Sequence, residues 1–388
     1  MTSPPPEAEG LLEGAEEALP AGRLAEQLAT GRPLRVKLGI DPTAPDIHLG
    51  HVVVLGKLRD FQDAGHTVVL IIGDYTARVG DPSGRSAERP VLSDEEIGRN
   101  ASTFQEQAFR VLDPERTEVR FNGEWLDMSS GELFEILKRT TVARLLERDD
   151  FTERMAAGKP ISTLELLYPV LQGYDSVAVQ ADVELGGTDQ KFNLLFARDV
   201  QQAFGQEPQS IVTMPILPGV DGTQRMSKSL GNYVGVTDQP EDMFGKLMSI
   251  PDEVMGQYYR LVLREPEPAG EHPAKAKRAL AAGLVTRFWD AKAAEDAEAA
   301  FDRLHVERRP PEDIEEGSFQ AGGPVHLPGL IAEQFGVSRS EARRLIEQGG
   351  VKLDDRVVGA EELDIDPEPL DGAILQVGKR RHRRLRAG

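Results

Sequence analysis

The chain of 388 residues contains no cysteine. Disulfides, thiolate-bound zinc and a cysteine nucleophile are excluded together. No apolar run approaches the ~18 residues that a membrane-spanning helix needs. The first residues, Met1-Thr2-Ser3-Pro4-Pro5-Pro6, form neither a basic region nor an apolar stretch, so a secretory signal is not expected and a cytoplasmic location is. Positive charge is also in short supply, and the formal net charge of −20 argues against a nucleic-acid partner if it is spread evenly. It is not. From His326 to Gly388 there are 11 Lys/Arg and 11 Asp/Glu, so the whole excess of acid lies upstream. The run Lys379-Arg380-Arg381-His382-Arg383-Arg384-Leu385-Arg386 closes the chain with dense positive charge. Such a run either holds a phosphate backbone or is a solvated tail.

What is present is enough apolar residue for a sizeable core and enough length for two or three domains. Residues 1–32 read as a leader with one short helix over 21–29. Leu34 to Ile40 reads as a strand ended by Asp41-Pro42, and a helix from Leu49 to Ala64 stops at Gly65. Thr67 to Ile72 is almost wholly apolar, as a strand buried on both faces should be. Strand, helix, strand in this order predicts an α/β, Rossmann-like doubly wound parallel sheet. The mostly helical stretch that follows predicts an insertion near 94–165, and Ser176 to Leu185 and Ser210 to Leu217 are further strand candidates. The expected organisation is a catalytic domain over 1–242, an α-helical domain over 243–307, a proline-rich linker over 308–324, and a small α+β domain over 325–388.

Two segments carry chemistry. In Asp41-Pro42-Thr43-Ala44-Pro45-Asp46-Ile47-His48-Leu49-Gly50-His51, the two histidines share a face in the first turn of a helix. Backbone N–H groups and the positive dipole end favour an anion there. Gly50 lets a flat ring approach the backbone, and imidazole N–H groups aimed at a phosphate would stabilise charge in a transition state. Alone, the motif reads first as a satisfied structural histidine pair; zinc lacks a third ligand nearby. In Arg225-Met226-Ser227-Lys228-Ser229-Leu230-Gly231-Asn232, two cations three residues apart suit a triphosphate tail, with an exposed basic loop as the alternative. ATP would arrive as its Mg2+ complex, and no protein-bound metal is expected.

Taken together and in this order, the two segments resemble the HIGH and KMSKS signatures of class I aminoacyl-tRNA synthetases, the second departing only at Arg225. Tyr168-Pro169-Val170-Leu171-Gln172-Gly173-Tyr174-Asp175 looks like the amino-acid-binding helix of tyrosyl-tRNA synthetases. The resemblance implies that Tyr168 and Gln172 face the substrate's α-amino group and that Asp175 accepts from its phenol. Their i, i+4, i+7 spacing permits one pocket, though without the other motifs it reads first as a solvated polar face. Gly186-Gly187-Thr188-Asp189-Gln190 is similar to the family's Gly-Gly-x-Asp-Gln loop. That implies Gly187 beneath the nucleotide, Asp189 on the ribose and Gln190 on the amino-acid carboxylate. Gly80 to Arg89 also matches, which implies Asp81 on the ammonium, with Arg85 and Arg89 on the leaving pyrophosphate. Gly39, Asp41 and Thr43 complete the expected site around the first strand. Lys37 departs from the pattern, because much of the family has tyrosine there; it either sits beside Asp175 or points elsewhere.

Near the end, Ser338-Arg339-Ser340-Glu341 is a capping box, the helix it opens stops at Gly349-Gly350, and Val351 to Val358 reads as a hairpin. With a preceding helix over 330–335, this looks like the small RNA-binding domain named after a small-subunit ribosomal protein. Arg339, Arg343 and Arg344 would form its basic face, extended by Lys379, Arg380, Arg381, Arg383 and Arg384. The resemblance thus implies an enzyme that activates L-tyrosine with ATP and transfers it to the 3′ end of tRNA(Tyr). It also implies a homodimer with the helical insertion as interface. A retired, RNA-binding relative would be expected to have broken motifs, whereas these are intact.

Overall fold

The computed structural model describes residues 6–43, 45–82, 93–305, 314–354, 356–378 and 381–388. Two compact units divide the chain, Met1–Glu295 and Asp296–Gly388.

The first unit is built on a six-stranded sheet of β1 (Glu17–Leu19), β2 (Arg35–Ile40), β3 (Thr67–Ile72), β4 (Thr117–Phe121), β5 (Val183–Gly187) and β6 (Ser210–Met214), in the order β1-β6-β5-β2-β3-β4. All neighbours are parallel except the short β1, which pairs antiparallel with β6 at the edge. The apolar run of β3 is buried from Val68 to Ile72, as its β-branched residues between two strands require. Helix α1 (Leu49–Asp63) crosses from β2 to β3, and α2 (Asp94–Ala108) precedes β4. From β4 across to β6 the parallel strands run 3-2-1-4-5, so the topological switch point lies between β2 and β5. Ligands of such sheets bind there, beyond the carboxyl ends of the strands.

The structure corrects the sequence reading in several places. The stretch expected as helical insertion contains β4, a strand of the main sheet; only the helices after it, from Gly123–Leu126 onward, are inserted. Thr-Glu-Val-Arg-Phe at the sheet edge is half-buried throughout and lacks the apolar run that reveals a central strand. The strand expected over Ser176 to Leu185 begins only at Val183, because α3 (Thr163–Ala178) continues through Asp175 and Ser176. Val170 and Val177 of α3 pack with Phe196 and Val200 of α4 (Lys191–Ala203). The helices approach so closely that a Cβ on Gly173 would lie 2.8 Å from Val200 Cγ2. The leader has helices Pro6–Leu12 and Arg23–Leu28 flanking β1. Helices Pro240–Met248 and Pro273–Phe288, expected in a separate domain, pack on each other within the first unit. No helix among the described residues is long and apolar enough to cross a membrane.

In the second unit, α5 (Leu327–Phe335) and α6 (Arg339–Glu347) pack against a five-stranded sheet of order β10-β9-β12-β13-β7. Its strands are β7 (Glu316–Phe319), β9 (Val351–Leu353), β10 (Arg356–Val357), β12 (Ile374–Val377) and β13 (Arg381–Ala387); β8 (Val325–His326) and β11 (Asp364–Ile365) form a separate pair. Ser338 caps α6 as expected, its hydroxyl accepting from the Glu341 N–H, and β9 and β10 form the expected hairpin. Two expectations fail. The linker contains β7, which runs parallel to β13, and the basic tail from Arg381 is itself a strand with Leu385 in the core. Composition explains why it read as a tail: four of the seven residues of β13 are arginines, and Leu385 is its one buried apolar residue.

Candidate active site

A cavity of about 490 Å³ opens at the switch point. Gly39, Asp41 and Thr43 reach it from the end of β2, Gly187, Asp189 and Gln190 from the end of β5, and His48, Gly50 and His51 from the start of α1. Asp81, Tyr168, Gln172 and Asp175 line it as well, and Arg225 and Lys228 close over it. Arg85 and Arg89 lie outside the described residues. Lys37 is corrected: it is fully buried and is not part of the cavity wall.

The two histidine rings lie close and tilted, with centroids 3.9 Å apart and an interplanar angle of 31°. His51 Nδ1 accepts from the backbone N–H of His48, which leaves Nε2 of the neutral ring as the donor. Burial lowers the His51 pKa to about 4; burial, together with the neighbouring His51, holds His48 well below its ordinary value. Both rings are therefore neutral donors at physiological pH. Gly50 leaves room for this pair, since a Cβ there would lie 3.0 Å from the His48 ring. The segment after the second motif is tied to the first: Leu49 N–H donates to Val234 O at 2.9 Å and Val236 N–H to Ile47 O at 3.0 Å.

On the other side of the cavity, Tyr168 donates to Asp41 Oδ2 at 2.9 Å and Thr76 donates to Asp41 Oδ1 at 2.7 Å. Asp175 is completely enclosed. Trp125 Nε1 donates to its Oδ1 at 2.8 Å and Asn122 Nδ2 to its Oδ2 at 3.4 Å. Burial raises its pKa to about 7, opposed by the charge of Lys37 and by these two donors. Gln190 Nε2 donates to Asp81 at 2.8 Å and its Oε1 accepts from Asn193. Burial raises the Asp189 pKa, Asp81 adds to the rise, and Arg225, 3.3 Å away, opposes it. Lys228 Nζ lies 2.5 Å from Asp46. The loop carrying these cations is held by Asn232, whose Oδ1 accepts from Ser227 N–H while its amide donates to Asp221.

The arrangement offers neutral donors and two ion-paired cations at one end, and an enclosed carboxylate at the other. A ligand with phosphates and a ligand with a buried hydroxyl would meet between them. Residues 29–306 match the family model for tRNA synthetases class I (W and Y). The chain belongs to this family. Residues 330–364 match the S4 domain. The chain is 51% identical to the tyrosine–tRNA ligase of Moorella thermoacetica, over 95% of this chain and 92% of that one. It is 50% identical to that of Bordetella avium, over 94% and 91%. The tyrosyl-tRNA synthetase of Archaeoglobus fulgidus, solved with L-tyrosine, shares the fold, with a TM-score of 0.61 and 23% identity over 74% of this chain and 98% of that one.

Several residues of this class I synthetase site carried no signal in the sequence. Asn122 and Trp125 follow β4, and a ligand position beyond a strand end is visible only once the strand is known. Asp46 and Glu184 lie within recognised motifs or beside them, but nothing local marks them as partners of Lys228 and Lys37. In the S4 unit, Arg339, Arg343 and Arg344 are exposed on α6. Arg381 and Arg383 instead lie over the Phe335 ring, and Arg383 pairs with Glu315 at 2.6 Å. Arg384 alternates to the opposite side of β13. Lys379 and Arg380 lie outside the described residues.

Proposed function

We infer that this chain activates L-tyrosine with ATP, forming tyrosyl-adenylate and pyrophosphate, and transfers the tyrosyl group to the 3′ end of tRNA(Tyr) in the cytoplasm. The observation that carries this reading is the enclosed Asp175, held by Trp125 and Asn122 in the same cavity as the paired histidines. An acceptor enclosed in this way favours a ligand bearing a hydroxyl over one lacking it, since the latter leaves the buried carboxylate unpaired.

In this reading the phenol donates to Asp175, while Asp81, Tyr168 and Gln172 receive the ammonium. Asp189 takes the ribose and Gln190 the amino-acid carboxylate. That carboxylate is already ionised at neutral pH and attacks the α-phosphorus without a general base. His48 and His51 donate to the phosphoryl oxygens as charge develops. Arg225 and Lys228 leave Asp189 and Asp46 for the departing pyrophosphate, assisted by Arg85 and Arg89. Magnesium travels with ATP as part of the substrate.

The exposed arginines of α6 suit the phosphates of tRNA, a contact that positions without specifying. A homodimer fits the exposed apolar residues of the inserted helices. Phe134 is 63% exposed, and Val142, Met155 and Leu164 are exposed with it. Tyrosine-dependent ATP–pyrophosphate exchange followed by tRNA charging tests the reading; purified protein that exchanges no pyrophosphate with tyrosine refutes it.

A further inference from the structure

Below the cavity lies an ion pair that the reaction as described does not use. Lys37 of β2 is 0% exposed and Glu184 of β5 is 1% exposed, with Lys37 Nζ 2.9 Å from Glu184 Oε1. Lys37 directs its other protons to Ser176 Oγ at 2.7 Å and to the Gln172 carbonyl at 3.2 Å. All three of its donors are thereby committed, and none remains for a phenol. Both of those partners belong to α3, so the ammonium docks the helix that carries Tyr168, Gln172 and Asp175 onto the sheet.

Glu184 extends the effect toward the cavity, which it helps to line. Its carboxylate accepts from Gln172 Nε2 at 3.4 Å, from Ser176 at 3.4 Å and from Gln209 Nε2. Each of these hydrogen-bond partners is a donor. The Gln172 amide is thus turned with its nitrogen toward Glu184 and its oxygen away. Two buried acceptors near this network, Gln172 Oε1 and Gln209 Oε1, have no protein partner among the described residues, and of these two residues only Gln172 lines the cavity. A buried ion pair is weak as a source of stability, because apolar residues of equal volume do as well.

We propose that Lys37 and Glu184 are positioning residues that fix the orientation of the Gln172 amide, so that its oxygen is presented to the ammonium of the amino-acid substrate. This rests on the functional reading above and deepens it. Without the anion, the amide is free to turn its NH₂ toward the substrate, where a donor meets a cation. Without Lys37, the anion has no counter-charge and α3 loses its dock. The lysine that stands where much of the family has tyrosine thus acts behind the pocket and does not touch the phenol.

The test uses the full-length enzyme, pyrophosphate exchange and two competing analogues. Tyramine keeps the ammonium and lacks the carboxylate; 3-(4-hydroxyphenyl)propanoate keeps the carboxylate and lacks the ammonium. In Lys37→Met/Glu184→Met, the KM for tyrosine and the inhibition constant of tyramine should rise roughly 10-fold or more, the range for a lost hydrogen bond to a charged group. kcat and the inhibition constant of the deaminated analogue should stay within about twofold. Ser176→Ala, which removes one anchor of Lys37 without stranding a charge, should show the same selectivity at smaller size, and it serves if the double variant fails to fold. Equal weakening of both analogues, or of neither, overturns the positioning role. A wild-type protein without tyrosine-dependent exchange overturns the functional reading instead.

Discussion

Trp125→Phe removes one hydrogen-bond donor and keeps a ring in place. The indole N–H lies 2.8 Å from Asp175 Oδ1, and the ring also supports Arg120, whose guanidinium lies 5.2 Å from its centroid. A hydrogen bond to a charged group contributes about 1.5–3 kcal/mol. kcat/KM for tyrosine should therefore fall roughly 10- to 150-fold, while the value for phenylalanine, which offers Asp175 nothing, should hardly change. The pH profile supplies a second readout. Asp175 has a pKa of about 7 in the fold against an ordinary 3.8, and Trp125 is among the groups opposing that rise. Its loss should push the pKa higher, so the variant should need a higher pH than wild type to reach full tyrosine activity. The sign for stability is opposite. Between about pH 4 and pH 7 the folded chain binds more protons at Asp175 than the unfolded chain does, so this residue's contribution to stability falls as pH rises. Pyrophosphate exchange with tyrosine and phenylalanine between about pH 6 and 8.5 measures both effects. The histidines do not confuse the profile, because burial keeps both below this range. An unchanged tyrosine-to-phenylalanine ratio, or a pH midpoint that stays or falls, refutes the reasoning.

His48→Ala should slow adenylate formation by about 10²–10³ and leave the tyrosine Kd nearly unchanged, as expected for a donor that matters most in the transition state. Single-turnover adenylate formation at wild-type speed would remove His48 from the chemistry. Lys228→Ala should likewise slow activation; a rise in tyrosine KM larger than the fall in rate would contradict its assignment to the phosphates. Truncation after His305 should abolish tRNA charging and spare pyrophosphate exchange, because every residue lining the cavity lies upstream. Loss of exchange in a folded truncated protein would contradict that separation.

The parts of this molecule that were legible in the sequence are those where local chemistry and environment agree. β3 is buried between neighbours and reads as an apolar run; α1 begins where proline and histidines leave the strand and ends at Gly65, whose φ is +90°. The motif residues from Gly39 to Lys228 converge because strand ends and helix starts meet at the switch point. β4 and β13 were missed because each lies where polar residues are tolerated, the first at a sheet edge and the second with arginines over Phe335. Asn122, Trp125 and Glu184 act through partners about 12 to 150 positions away. No local pattern marks such residues. Lys37 shows the same limit from the other side: its departure from the family pattern was visible, but its direction depended on a partner in another strand.

The two cations above the cavity already have partners, Lys228 with Asp46 and Arg225 with Asp189. Neither cation of the loop is therefore without a counter-charge. Stray polyanions, whether inorganic phosphate or a loop of RNA, gain little by entering, since each must first displace a carboxylate from the cation it seeks. A nucleoside triphosphate is different, because its ribose can occupy Asp189 at the moment its phosphates recruit Arg225. On the proposed roles of Asp189 and Arg225, the loop would ask for sugar and phosphate together, and fragments carrying only one of them would leave one side of the exchange unanswered.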